Sequence, residues 1–247
     1  MLIVTGLGRC GTTAIMKFLK EIGLNLGKVS YSKIMRAGYE DRHVYMINVH
    51  LHDLIKDLEK EGRDFDAEYL ADQKSLKYQN IPETKWSAKT FRDRILYVGR
   101  KRKLEGEDKQ FEWLTRMNAV KDPRFTWHPM LIKVWKESRD DLGVLLCHRK
   151  IEDIYKSRLK LSGGGMDPKR NTNFELFKTD FADFFTALLE TRLPYRTLFY
   201  PDFLFNYREV ETKLGELGVY VPPGGRQKWE ATIHPEMVSR FDKKGCE

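Results

Sequence analysis

The sequence predicts an α/β fold: a single domain over residues 1–247, with a central, mainly parallel sheet and helices on both faces. Three observations predict it. Short runs of β-branched and aliphatic residues alternate with amphipathic helical patterns, as strands joined by crossover helices require. A glycine-rich turn joins the first such run to the first such pattern. The 247 residues, 41% hydrophobic and 12% aromatic, suffice to cover a sheet on both sides.

Leu2, Ile3, Val4 and Thr5 form the first expected strand, and Ala14, Ile15, Phe18, Leu19 and Ile22 recur at helical spacing behind it. Apolar residues at 44, 47, 51, 54, 55 and 58 predict a helix from about 41 to 60, whereas 62–92 is polar and weakly periodic and reads as loops and short helices. "FEWLTRM" continues a helix, "NAVKDPRF" is a short strand ending at Asp122-Pro123, and "WHPMLIKVWKES" is a helix starting near Pro129. "LGVLLCHR" reads as a buried strand, and "KIEDIYKSRLKL" as a helix closed by Gly163-Gly164-Gly165. Residues 174–191 form a helix whose aromatic stripe belongs to the core. "YRTLFYPDFL" is the last strand, and "YREVETKLGELGV" a helix stopped by Gly218 and Pro222-Pro223.

Composition narrows the function. The net charge of +8, from 44 basic and 36 acidic residues, suggests an anionic ligand on an otherwise mixed surface. The densest basic run, "GRKRKLEGEDKQ" at 99–110, runs at once into acids and reads as a solvated loop, so no nucleic-acid partner is expected. No window holds the 18 or so consecutive apolar residues of a membrane span. The chain enters a strand at once, with no apolar leader, and Cys10, Cys147 and Cys246 are odd in number and widely spaced. Both features lead to the expectation of a cytoplasmic protein with free thiols.

The turn "GLGRCGTT" at 6–13 aims backbone N–H groups and the positive end of a helix at its occupant, most simply a phosphate. Gly6 and Gly11 keep the spacing of G-x-x-x-x-G-K-[ST], but Thr12 stands where the lysine belongs, which argues against a triphosphate. Arg9 supplies charge from within the loop, and Gly11 is read as leaving room for phosphate to approach the backbone. Two further strand ends carry polar residues: "VKDPRF" at 120–125, and "CHRKIEDIYKSRL" at 147–159, where Arg149 ends a strand and Ser157 lies two turns into the next helix. Strand ends of a parallel sheet face one crevice, and an arginine fork with a hydroxyl suits a second phosphate.

On these residues the chain resembles the sulfotransferases that use 3′-phosphoadenosine 5′-phosphosulfate, the bacterial and the tyrosylprotein or carbohydrate members most. "GLGRCGTT" is similar to their 5′-phosphosulfate loop, with Cys10 at its usual serine. Arg149, Asp153 and Ser157 match the 3′-phosphate motif, although Lys150-Ile151 replaces the usual residue-proline pair. "VKDPRF" is similar to a Lys-Asp-Pro element whose lysine approaches the transferring group, and "GYEDRHVYMIN" to a stretch bearing a catalytic glutamate. "FYPDFLFNYREVETKLGELGV" resembles the segment that closes the fold.

The resemblance implies that Gly8, Arg9, Cys10, Gly11, Thr12 and Thr13 hold the 5′-phosphosulfate and that Arg149 and Ser157 hold the 3′-phosphate. It further implies that Lys121 and Arg9 stabilise transfer and that Glu40 takes the acceptor's proton, with His128 the alternative base. The product nucleotide would be 3′,5′-adenosine diphosphate, and the acceptor a small molecule, glycan or peptide. No metal is expected, since His50 and His52 lie on opposite helix faces and sulfuryl transfer needs cradling more than a divalent ion. Two alternatives stay open: a P-loop kinase, and a nucleotide-binding module without catalysis.

Overall fold

The computed structural model describes residues 1–28, 39, 41–71, 103, 105–159 and 174–233. Among them, four parallel strands lie in the order β2-β1-β3-β4, with β1 at Leu2–Thr5, β2 at Ala119–Lys121, β3 at Gly143–His148 and β4 at Tyr195–Phe199. Register sets Val4 beside both Lys121 and Leu145, and His148 beside Phe199. The chain passes from β1 to β2 on one side and then crosses to β3 on the other. The connections leaving β1 and β3 therefore head for opposite edges of the sheet, and the carboxyl ends of these two strands are where such a sheet receives a ligand.

Alternation along each strand feeds two cores. Leu2, Val4, Leu145, Cys147 and Leu198 face α1 (Thr12–Glu21), α7 (Ile151–Leu159), α9 (Tyr207–Glu216) and α10 (Gly225–Thr232) when these helices are numbered in chain order. Ile3, Val120, Val144 and Leu146 face the layer containing α2 (Arg42–Lys60), α3 (Ala67–Ala71), α4 (Glu107–Thr115), α5 (Arg124–Trp127) and α6 (Met130–Ser138). The remaining helix, α8 (Phe174–Thr191), reaches both cores, Phe177 into the first and Phe184 and Leu188 into the second. Fully burying side chains such as Ile15, Phe18 and Leu19 of α1 contributes about 1.5–3 kcal/mol each.

The expected parallel sheet, covered on both faces, is the observed one. The expected helix at 41–60 starts as α2 at Arg42, capped by the buried Asp41 carboxylate, which accepts from His43 N and Val44 N at 2.9 Å. Differences are local. β2 ends at Lys121 instead of Asp122-Pro123, because Pro123, with φ −67°, already has helical backbone and leads into the one-turn α5. The basic run is not all loop, since α4 begins within it at Glu107. α10 has no expected counterpart: of its residues only Gly225, Trp229 and Thr232 are buried, too few to print a period. Most of the segment 62–92 and the glycines at 163–165 lie outside the described residues. No described helix is long and apolar enough to cross a membrane.

Candidate functional site

Gly6 begins the loop after β1, and close approach to β3 dictates its identity. A Cβ there would sit 2.3 Å from the Cys147 carbonyl oxygen. The chain then turns through left-handed backbone at Gly8 (φ 85°), Arg9 (φ 61°) and Gly11 (φ 78°), a run that curls successive N–H groups around a concavity. Cys10 is buried beneath, its thiol donating to the Gly8 carbonyl at 3.1 Å, so it is a structural floor residue. Gly11 is the N-cap of α1, which has no side-chain cap and no acidic residue in its first turn. That helix start suits an anion.

The reason for glycine at 11 differs from the one the sequence suggests. A Cβ there would meet the Phe203 ring at 2.6 Å and the Tyr200 ring at 2.7 Å. Ring packing behind the loop, together with positive φ, demands glycine at this position.

Two cations reach the loop from the strands flanking β1. Lys121 ends β2 on the α1 side, is only 4% exposed, and donates from Nζ to Thr13 Oγ1 at 3.0 Å. Arg149 follows β3, is 3% exposed, and donates from Nη1 to the Arg9 carbonyl at 3.4 Å, with its guanidinium 5.2 Å from the centre of the Tyr200 ring. Lysine and arginine are rarely buried this deeply without a task or a partner. Between them Cys147 is held as a thiol: burial, and next the neighbouring Cys10, push its pKa well up, while Lys121 pulls the other way. His148, beside Arg149, stacks on Phe181 at 4.8 Å, and burial lowers its pKa.

Among the predicted residues, the structure thus brings Lys121 and Arg149 to the loop formed by Gly8, Arg9, Cys10, Gly11, Thr12 and Thr13. Arg9 is exposed at its rim and Thr12 nearly buried. Ser157 stands in the second turn of α7, its side chain outside the described residues, as is Glu40 entirely. His128 ends α5 and lies against His52, ring centroids 3.7 Å apart. Among the described residues no group of three or more His, Cys, Asp or Glu side chains converges on a metal position.

Asp122, Asn48, Trp135 and Tyr200 also surround this loop and its cations, and the sequence alone assigns them no role. Asp122 and Tyr200 stood within the quoted motifs, adjacent to Lys121 and to the final strand. Asn48 closes the quoted stretch "GYEDRHVYMIN", whose resemblance includes an Asn-bearing helix, but the sequence assigns it no partner.

Comparison with solved structures finds likenesses at low identity. The sulfotransferase domain of the Synechococcus PCC 7002 olefin synthase aligns with 96% of this chain and 78% of its own, at 15% identity and a TM-score of 0.49. A sulfotransferase from Mycobacterium tuberculosis aligns over 93% of this chain and 70% of its own, at 16% identity and a TM-score of 0.46. The sulfotransferase domain from the curacin biosynthetic pathway covers 96% of this chain and 79% of its own, at 12% identity and a TM-score of 0.46. No family model matches the sequence, and no curated protein matches it.

Proposed function

We propose that this protein transfers a sulfuryl group from 3′-phosphoadenosine 5′-phosphosulfate to a hydroxyl or amine of a small molecule, glycan or peptide. One observation carries the reading: two buried cations, Lys121 and Arg149, arrive from opposite sides of β1 at Thr13 and Arg9 of one phosphate-type loop. A nucleotide with phosphates at both its 5′ and 3′ positions meets such an arrangement with two separate anions. The missing Walker lysine at Thr12 fits the same substrate, whose transferring group is not a triphosphate terminus.

In this reading the loop and the start of α1 hold the 5′-phosphosulfate, and Arg149, with Ser157, takes the 3′-phosphate. The acceptor oxygen or nitrogen forms a bond to sulfur as the sulfur–oxygen bond to the 5′-phosphate breaks, and 3′,5′-adenosine diphosphate leaves with the electron pair. Lys121 and Arg9 stabilise charge that develops on the bridging oxygen. The acceptor's proton passes to Glu40, with His128 as the alternative base. Free buried thiols at Cys10 and Cys147 accord with a cytoplasmic setting. The test is release of 3′,5′-adenosine diphosphate from the donor, with 4-nitrophenol as acceptor and chelator present. Acceptor-dependent release supports the reading. ATP turnover that requires Mg²⁺, with no donor turnover, replaces it with a kinase.

A further inference from the structure

Behind Lys121 lies a polar cluster that the transfer chemistry does not itself use. Asp122, Asn48 and Trp135 are each fully buried, and they come from the end of β2, the middle of α2 and α6. Asn48 Nδ2 donates to Asp122 Oδ2 at 3.0 Å, and Trp135 Nε1 donates to Asn48 Oδ1 at 3.0 Å. The carboxylate also accepts from Arg124 N at 2.9 Å and Arg124 Nη1 at 3.0 Å. Its backbone is pinned as well, since Thr5 Oγ1 donates to the Asp122 carbonyl at 2.9 Å.

A buried carboxylate and amide are costly unless matched, and a matched network admits one geometry. Here that geometry is the peptide joining residues 121 and 122. Side chains alternate across the strand, so Asp122 points to α2 while Lys121 points to α1. Any rotation of the Asp122 peptide swings the Lys121 stem away from Thr13.

We propose that Asn48 and Trp135 are positioning residues for Lys121, acting through Asp122 to hold its ammonium at the Thr13 hydroxyl. The catalytic consequence rests on the sulfuryl-transfer reading; the placement of Lys121 does not.

The experiment acetylates the native protein with acetic anhydride and follows Lys121 by peptide mass spectrometry, using the exposed Lys60 as internal reference. Asn48→Ala speeds Lys121 labelling relative to Lys60, and Trp135→Phe, which removes only the indole donor, does so to a smaller extent. Unchanged relative rates in a folded variant overturn the proposal, and Trp135→Phe decides if Asn48→Ala does not fold. In parallel, donor hydrolysis by water is measured. Asn48→Ala lowers it about 10- to 100-fold with donor affinity kept, and adds no further loss in a Lys121→Met background. A loss that persists in that background overturns the link to Lys121. If the wild type binds no 3′,5′-adenosine diphosphate, the sulfuryl-transfer reading falls, and the labelling rates alone decide the positioning.

Discussion

Lys121 donates its ammonium to the Thr13 hydroxyl at 3.0 Å, tying the carboxyl end of β2 to the first turn of α1 across a span of 108 residues in sequence. The contact places a buried positive charge at the helix start where an anion is best received. If that charge acts on the transferring group, Lys121→Met, which keeps the stem and removes the ammonium, lowers kcat by about 10²–10³-fold. Nucleotide affinity stays within about threefold. Thermal stability is kept or raised, because an apolar isostere removes the desolvation of a buried charge. Steady-state kinetics and calorimetry on one preparation check the split.

Arg9 adopts left-handed backbone, with φ 61°, on an exposed rim. Such a conformation costs a non-glycine residue about 1–2 kcal/mol, so Arg9→Gly raises folding stability by an amount of that order, less the entropy that glycine adds to the unfolded chain. The same change weakens donor binding. Gly11→Ala does the reverse to stability: positive φ and the Phe203 and Tyr200 rings make it destabilising by about 2 kcal/mol or more. Urea titrations of both variants measure these opposite signs.

Arg149 lies against Tyr200 and the Arg9 carbonyl, whereas Thr13 is held by Lys121. Arg149→Met is expected to weaken 3′,5′-adenosine diphosphate binding about 10- to 100-fold while leaving 5′-AMP nearly unchanged. Equal losses for both nucleotides in calorimetry reassign the arginine to holding the loop through Arg9.

His148 introduces a pH dependence of stability. Burial among Phe181 and Phe199 lowers its folded pKa, so the unfolded chain binds the proton more readily. Its contribution is therefore complete above the unfolded value of about 6.5 and is lost as pH falls from there through the folded value. In His148→Phe the fall in Tm between about pH 7 and pH 5 is shallower than in the wild type. Parallel pH–Tm curves for the two proteins contradict the assignment.

Much of this architecture is legible in the sequence because local signals agree. β3 is buried on both faces and reads as an unbroken apolar run, and the loop after β1 combines a buried strand, glycines and a helical stripe in 18 residues. Lys121 and Arg149 stand at strand ends, where parallel sheets place ligands. Asn48 and Asp122 each stand in a quoted motif, but their contact is not legible, since they are 74 residues apart and only the fold brings their side chains together. The need for glycine at 11 is legible but its cause is not, because the rings that exclude a side chain come from the segment after β4. α10 stayed hidden because a mostly exposed helix resting on Trp229 has no hydrophobic period.

In the proposed function the loop with its two buried cations binds a nucleotide phosphorylated at both the 5′ and 3′ positions, without a metal. Isothermal titration of the wild-type protein with 3′,5′-adenosine diphosphate, 5′-AMP and ATP, each with chelator and then with Mg²⁺, tests it most directly. The expected result is that 3′,5′-adenosine diphosphate binds at least about tenfold more tightly than either competitor, and that Mg²⁺ leaves this affinity unchanged. Tighter binding of ATP that depends on Mg²⁺, or equal binding of 5′-AMP and the 3′,5′-bisphosphate, contradicts it.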